Sequence, residues 1–316
     1  MIVRDRPSGL RMFLVVRGSV LQQIRTVLIV NILLATVVTF THGALFSQKI
    51  TLTAIPFTLI GLPLAIFLGF RNTAAYDRYW EARKLWGELL LRCRNLSRQC
   101  QSLIEFPAPV QPAQAGSDLA DVRVRMVYRA IAFCHVLRQQ LRGVDDRGEV
   151  RALLQPAEWQ ALQPKTGKTT ALMQHMGCDL QHCLRTGRIG EPLAGNIDNT
   201  LSALVSAAAS CERIKSSPLP FSYTLLLHRT AYMYCFLLPF GLVDTIGFMT
   251  PFVVGIVAYT FFGLDALGDE IEEPFGLLPN DLPLDAICRT IEIDLRESLG
   301  ETNLPKPLEP VDYCLL

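Results

Sequence analysis

One stretch of the sequence concentrates residues that can ligate metals. His175, Cys178, Asp179 and His182 are spaced at i, i+3, i+4 and i+7, with Cys183 adjacent, which places them on one helical face. Such side chains could contribute to a Zn²⁺ site, but tetrahedral sites usually draw ligands from more than one element. We therefore favour a structural or incidental role and predict no metal and no cofactor. His175, Cys178 and His182 remain the only metal candidates.

The sequence contains no convincing catalytic motif. Gly167-Lys168-Thr169 ends like a phosphate-binding loop, but Leu162 stands where the earlier glycine is required, and no strand is predicted before it. No Ser-His-Asp order, catalytic carboxylate pair or glycine fingerprint is recognisable. The sequence therefore predicts that the protein is not an enzyme.

A different pattern could handle ions without reacting with them. Two stripes of residues spaced by four share one predicted helix, where such residues lie on one face. The large stripe is Leu62, Ile66 and Phe70, and the small stripe is Gly61, Ala65 and Gly69. Small residues let a neighbouring helix pack closely, which leaves the large stripe free to face a pore axis. The alternative is that the large stripe simply faces lipid and the small stripe packs against a neighbouring helix, without a pore.

The helix that carries the two stripes is one of a predicted pair. No Asp, Glu, Lys or Arg occurs at positions 26–48 or 50–70. Each window holds roughly the 20 mostly apolar residues that a helix needs to cross the hydrocarbon core of a membrane. The sequence predicts spans at 26–46 and 52–70, with a turn near 43–51.

A second apolar pair lies nearer the C-terminus. Between Arg229 and Asp265 the only charged residue is Asp244. This pattern predicts a hairpin of helices at 230–243 and 249–265, with Asp244 in the turn. The alternative for the third span is an earlier start, near Tyr223, with Arg229 facing protein or water. The sequence therefore predicts four membrane spans.

Composition and charge agree with a membrane protein. Apolar residues make up 50% of the chain, charged residues 19%, and the formal net charge is +1. A nearly neutral chain has no global field that favours nucleic acid. Its nine cysteines lack paired spacing, so we expect reduced thiols facing a cytoplasm.

The distribution of basic residues predicts the orientation. Five arginines precede the first span, at positions Arg4, Arg6, Arg11, Arg17 and Arg25, and the two predicted outer turns share one basic residue, Lys49. Basic residues favour the cytoplasmic side, so both termini and the middle region should be cytoplasmic. The predicted divisions are an N-terminal segment at 1–25, a helix pair at 26–70, a cytoplasmic helical region at 71–220, a second helix pair at 221–268 and a C-terminal segment at 269–316.

The cytoplasmic region is predicted to be helical. Leu85, Leu89, Leu96 and Leu103 recur at helical spacing. Further helices are predicted at 119–142, 168–187 and 192–214. Prolines predict a loop at 107–116, a surface insertion is expected at 143–167, and a disordered tail is expected from Leu304.

Four stretches, in order, resemble the bestrophin family of ion channels. They are Arg17-Gly18-Ser19; Leu62-Pro63-Leu64-Ala65-Ile66-Phe67-Leu68-Gly69-Phe70 followed by Tyr79-Trp80; Gly187-Arg188-Ile189-Gly190-Glu191-Pro192-Leu193; and Glu273-Pro274-Phe275-Gly276. The resemblance implies an all-α integral membrane protein that forms a homopentamer around a central pore. It also implies a pore neck lined by Leu62, Ile66 and Phe70, and a cytoplasmic aperture at Leu193.

The resemblance further implies a function and a location. Eukaryotic relatives conduct chloride, whereas the bacterial branch includes cation-conducting members, and this sequence looks bacterial. We therefore predict a channel for monovalent cations, Na⁺ and K⁺, in the bacterial inner membrane, with an anion channel as the alternative. A membrane-anchored signalling or scaffold protein is the alternative of another class. The expected partners are further copies of the chain, permeant inorganic ions and the lipid bilayer.

One departure from the animal members concerns calcium. Those members carry a run of acidic residues after Pro-Phe-Gly that clasps Ca²⁺, which needs about six to eight oxygen ligands. Here Leu277-Leu278-Pro279-Asn280-Asp281 leaves one carboxylate. We therefore predict a channel that is independent of Ca²⁺.

Overall fold

The fold is built almost entirely from helices. A computed structural model describes residues 1–4, 9, 15, 18–45, 48–49, 53–105, 119–144 and 147–316. The helices are α1 Leu21–Phe40, α2 Ala54–Leu103, α3 Val122–Arg142, α4 Arg147–Leu153, α5 Pro156–Leu162, α6 Lys168–Arg185, α7 Glu191–Ser216, α8 Phe221–Ile246, α9 Thr250–Glu272 and α10 Leu284–Ser298. Two short strands, β1 Ala44–Leu45 and β2 Gln48–Lys49, pair antiparallel after α1. The predicted loop at 107–116 and the residues Arg6, Arg11 and Arg17 lie outside the described residues.

The chain divides into two compact units. The membrane unit comprises residues 4–80 and 218–274, and the helical unit comprises residues 1–3, 81–217 and 275–316. Helix α2 contributes to both, with the division after Trp80.

The membrane unit contains the predicted spans. Three continuous stretches are long and apolar enough to cross a membrane: Leu21–Phe40, Ile55–Leu103 and Phe221–Glu272. The third is a hairpin of α8 and α9, folded at a short 3₁₀ turn, Gly247–Met249, where Gly247 adopts φ of +53°. That backbone conformation favours glycine. The fold therefore has four spans, as the sequence predicts.

Helices α1, α8 and α9 share an apolar core. Ile24 of α1, Cys235 of α8, and Ala258 and Phe262 of α9 are buried together. Asn31 is buried in α1, and its side-chain amide donates to the carbonyl oxygen of Cys235 at 3.0 Å. This hydrogen bond satisfies the amide nitrogen, which would otherwise be costly to bury in an apolar environment. The amide oxygen of Asn31 has no partner among the described residues.

The predicted span boundaries differ from the observed ones. Helix α8 begins at Phe221, close to the alternative start near Tyr223. Asp244 lies in its last turn, so the hairpin turn follows Asp244 instead of carrying it. Helix α9 continues through Asp265 to Glu272. The charged residues that marked the ends of the predicted spans are thus inside helices, because a helix can continue past the apolar segment.

The helical unit is organised around α3. Almost every side chain of this helix is buried, from Val122 to Leu141. The second half of α2 contributes a stripe of fully buried residues, among them Trp86, Leu89 and Leu96. Asp121 caps the start of α3 by accepting a hydrogen bond from the backbone of Arg123 at 2.8 Å, as expected for an N-cap residue.

Two expectations about this unit are wrong. Residues 143–167 are not merely a surface insertion, because α4 and α5 bury Leu153, Trp159 and Leu162. The tail from Leu304 is also placed in the fold. Cys314 pairs with Ile2 in an isolated antiparallel β-bridge of the backbone. The carbonyl oxygen of Leu316 accepts from the backbone N–H of Ala286 at 2.9 Å. Both segments are mostly polar, and this composition outweighed in the prediction the few residues that anchor each segment to the core.

Trp159 tests whether the 143–167 segment belongs to the core. Its side chain is buried, so Trp159→Ala should lower the free energy of unfolding of the helical unit by about 3–5 kcal/mol. Gln160→Ala, at the neighbouring exposed position, should change it little. Denaturant unfolding of the purified protein measures both. If Trp159→Ala and Gln160→Ala lower the free energy of unfolding by equally small amounts, residues 143–167 are a surface insertion, as the sequence predicts.

Candidate functional site

One face of α2 packs inside the membrane unit. Phe57, Leu64, Leu68 and Arg71 are buried along it. Phe57 contacts the ring of Tyr234 edge-on, with ring centroids 5.9 Å apart. These positions recur at spacings of three, four and seven, which is the pattern of a single helical face.

The three residues of the small stripe have different surroundings. A Cβ atom at Gly61 would lie 2.9 Å from the hydroxyl oxygen of Tyr234, so glycine permits this close approach of α2 to α8. Nothing lies within 4 Å of a Cβ placed at Gly69, and Ala65 is exposed. Among the described residues, then, Gly61 is the position of this stripe for which a close helix contact is seen.

The large stripe lies on the uncovered face of α2. Leu62 is 67% exposed, Ile66 47% and Phe70 62%. Three bulky apolar side chains in a row are therefore uncovered within the subunit, on a helix able to span a membrane. Such a face is suited to contact lipid, a second copy of the chain or a pore axis.

A buried charge cluster follows the large stripe directly. The Arg71 side chain is fully buried; its guanidinium donates to Asp265 at 2.8 Å and to Asp269, and lies 3.7 Å from Glu272. Nδ1 of His228 lies 2.7 Å from the second carboxylate oxygen of Asp265. The cluster joins α2, α8 and α9.

Sequence reasoning missed this cluster. The predicted spans end at residues 70 and 265, which leaves Arg71 just outside one span and Asp265 at the end of another. The cluster could have been predicted from a general rule: ionisable residues inside apolar segments almost always face protein and pair with one another. Further along α2, Glu81 accepts from Arg213 of α7 at 2.7 Å.

Leu193 lies in the first turn of α7. The turn before it uses Gly187 at φ of +70°, and Gly190 precedes the helix in extended conformation. Pro192 occupies the start of the helix, where its missing N–H costs nothing. The Leu193 side chain is 40% exposed, so it is available for contacts outside the subunit.

Two of the metal-ligating side chains on α6 have other partners. Asp179 accepts from Arg125 at 2.8 Å and from Arg129 at 2.6 Å. Burial opposes ionisation of this carboxyl, but the two arginines outweigh it and lower its pKa. Nδ1 of His175 lies 2.8 Å from Glu158.

The remaining candidates, Cys178 and His182, are exposed. Across the residues that the structure describes, no group of three or more His, Cys, Asp or Glu side chains is placed to hold a metal ion. In the segment after Gly276, Asp281 is buried and accepts a hydrogen bond from the backbone of Leu278 at 2.7 Å. That carboxylate therefore stabilises a local turn.

Comparison with known proteins identifies the family. A match to the bacterial and fungal bestrophin proteins covers residues 1–297. The chain belongs to the bacterial and fungal bestrophin family. The resemblance found in the sequence is thereby confirmed, and the family is one of ion channels.

Individual relatives match over nearly the whole chain. A voltage-dependent anion channel-forming protein of Mesorhizobium japonicum is 42% identical over 98% of this chain and 95% of its own. One of Escherichia coli K12 is 39% identical over 98% of both chains. The crystal structure of a bacterial bestrophin homologue from Klebsiella pneumoniae superposes with a TM-score of 0.80, at 37% identity over 88% of this chain and 99% of that one.

The contrast between Gly61 and Gly69 can be tested within this bestrophin. Gly61→Leu should lower the melting temperature of the solubilised protein, because the new side chain would collide with Tyr234. Tyr234→Ala in the same chain should relieve part of that loss. Gly69→Leu should leave the subunit folded and affect at most its assembly. Thermal unfolding combined with size-exclusion chromatography separates the two effects, and an equal loss of fold in both single variants would refute the distinction.

Proposed function

We propose that five copies of the chain form an ion channel whose neck is lined by Leu62, Ile66 and Phe70. The observation that carries the proposal is the uncovered apolar stripe on α2, which the subunit itself does not pack. In a pentamer each of these residues forms a ring of five identical side chains. Membership of a channel family supports this use of the stripe over simple lipid contact.

The neck controls conduction through its hydration. A narrow apolar constriction cannot replace the hydration shell of an ion and gates by dewetting. The small residues Ala65 and Gly69, exposed in the isolated subunit, would then let neighbouring copies of α2 approach closely. We assign Leu193 to a second, cytoplasmic aperture, supported by its exposure at the start of α7.

For the sign of the permeant ion we favour anions. The relatives that match almost the whole chain are named anion channel-forming proteins, which supports the alternative of the sequence analysis over its preferred cation channel. An apolar neck alone discriminates charge sign poorly, so fields elsewhere in the pathway must set it.

One structural observation favours the cation alternative. Three carboxylates surround Arg71 directly after the stripe, and the side chain of Asp269 is 56% exposed. If this exposed carboxylate faces the ion pathway, five copies of it would attract cations. The selectivity measurement below decides between the two signs.

The proposal includes independence from Ca²⁺ and a defined orientation. The segment after Gly276 offers Asp281 alone, and its carboxylate already accepts a backbone hydrogen bond. The basic N-terminal segment supports an inner-membrane protein with both termini in the cytoplasm.

The neck predicts a specific effect of shortening one ring. Ile66→Ala should raise the single-channel conductance and the leak, because a wider ring stays hydrated. The fold should tolerate the change, since a side chain that is 47% exposed leaves no sealed cavity when it is truncated. Planar-bilayer recording measures the conductance.

Ile256 provides a matched control for Ile66. It is an isoleucine on α9 with a similar exposure of 53%, and Ile256→Ala should leave the conductance unchanged. If Ile66→Ala weakens assembly while conductance per channel stays the same, the stripe packs against protein or lipid and the neck is misassigned.

Ion flux and selectivity test the function itself. Purified protein in liposomes should conduct ions, whereas a signalling or scaffold protein would not. In bilayers with a NaCl gradient and a calcium chelator on both sides, we expect a reversal potential near the chloride equilibrium potential. A reversal near the sodium equilibrium potential would instead establish the cation channel.

The same recording includes Leu193→Thr as a test of the aperture. This variant should alter ion preference or conductance without dissociating the oligomer. Unchanged currents in Leu193→Thr would remove the aperture from the proposal and leave the neck untouched.

A further inference from the structure

A cavity in the helical unit has no role in the proposed pore. It has a volume of about 530 Å³ and lies between α3, α10 and residues 308–316. Arg138, Arg142 and Arg289 line it, and all the lining residues belong to the helical unit. Three guanidinium groups at one cavity make it a candidate for binding an anion.

Arg142 is the residue that points to a ligand. Its side chain is 5% exposed, and Nη1 donates to Asp285 at 2.7 Å. Its Nε and Nη2 are buried and have no hydrogen-bond partner among the residues that the structure describes. Buried donors of a charged group are costly to leave unpaired.

The two unpaired nitrogens form one edge of the guanidinium. In arginine, the N–H bonds of Nε and Nη2 run parallel and bind a carboxylate or phosphate in a bidentate manner. The edge of Arg142 that Asp285 does not use is therefore a complete binding element for an oxyanion.

Two of the carboxylates that line the cavity are already occupied. Asp285 is shared between Arg142 and Arg138, whose Nη1 lies 3.0 Å from it. Glu149 is bound by Arg138, and Nδ1 of His135 lies 3.3 Å from it. Together His135 and Arg138 lower the pKa of Glu149 to about 2, so this carboxylate stays ionised and engaged. Glu309 also lines the cavity, at an exposed position.

The rest of the cavity wall is largely apolar. Leu277, Leu308, Val311 and Leu315 contribute to it. An inorganic ion would leave these side chains uncovered, whereas a ligand with an apolar body would bury them and gain from the hydrophobic effect. The wall therefore selects a small organic molecule with an acidic head.

We propose that this cavity binds a small organic anion, a phosphate or carboxylate head on a short apolar body, with the head held by the guanidinium group of Arg142. The apolar body lies against Leu308 and Val311. The bound molecule would join α3 to residues 308–316. The proposal does not depend on the pore, its selectivity or its gating.

Calorimetric titration of the full-length protein in lipid nanodiscs tests this site. The probes are butyl phosphate, butyrate, inorganic phosphate and 1-butanol. We expect saturable binding of butyl phosphate or butyrate, and the tighter of the two identifies the head group. Inorganic phosphate should bind more weakly, because it has no apolar body, and 1-butanol should not bind measurably.

Variants assign the binding to the cavity. Arg142→Gln should weaken binding of the preferred probe about tenfold or more, because it removes a bidentate charged contact. Asp285 keeps Arg138 as a partner in this variant. Leu308→Trp should weaken binding by filling the cavity without touching a charge. Arg92→Gln, on an arginine of the same unit whose side chain is 37% exposed and paired with Glu88, should bind as the unmodified protein does.

Several results would overturn the site. The absence of saturable binding by all three anions would do so, as would equal affinity in Arg142→Gln and the unmodified protein. Binding of 1-butanol as tight as that of butyl phosphate would show an apolar cavity only. If Arg142→Gln does not fold, Leu308→Trp carries the test, and undiminished binding in that folded variant excludes the cavity.

Discussion

The burial of Arg71 is the constraint on which the membrane unit depends. A guanidinium next to an apolar segment must be paired, because an isolated buried charge costs far more than most single interactions return. Asp265, Asp269 and Glu272 all lie on α9 and surround it. Because the three partners occupy successive turns of one helix, they fix α2 in both rotation and height against α9.

That rotational setting decides which residues α2 leaves uncovered. At about 100° per residue, Leu62 lies roughly opposite Arg71, and Ile66 and Phe70 follow on the same half of the helix. Leu64 and Leu68 turn toward the interior together with Arg71 and are buried. The exposed apolar stripe is thus a geometric consequence of one ion-pair cluster. A rotation of α2 that buried the stripe would expose Arg71 to the apolar region.

The sequence predicted elements that depend on local composition and missed those that depend on partners. Charge-free windows located all four spans, and the order of motifs identified the family. The length of α2 was missed, because the charged residues after Phe70 resemble the end of a membrane helix when nothing shows what they bind. Gly61 and Gly69 share one spacing, yet only Gly61 approaches Tyr234. Periodicity gives the face of a helix, but the neighbouring element decides what that face contacts.

The charge cluster also bears on how such a neck can be selective. Apolar rings repel any ion that must shed water and therefore set the barrier with little regard to sign. The sign must come from charges just outside the rings, where water is present but screening is incomplete. Arg71 is fully buried, whereas Asp269 is more than half exposed. The positive charge of this pair is therefore shielded from solvent, while the Asp269 carboxylate remains accessible to it. If the channel conducts anions, as we propose, positive charge elsewhere along the pathway must outweigh the Asp269 carboxylate. Selectivity could then differ between close relatives while the apolar neck stays the same, because neck and charge are set by different residues.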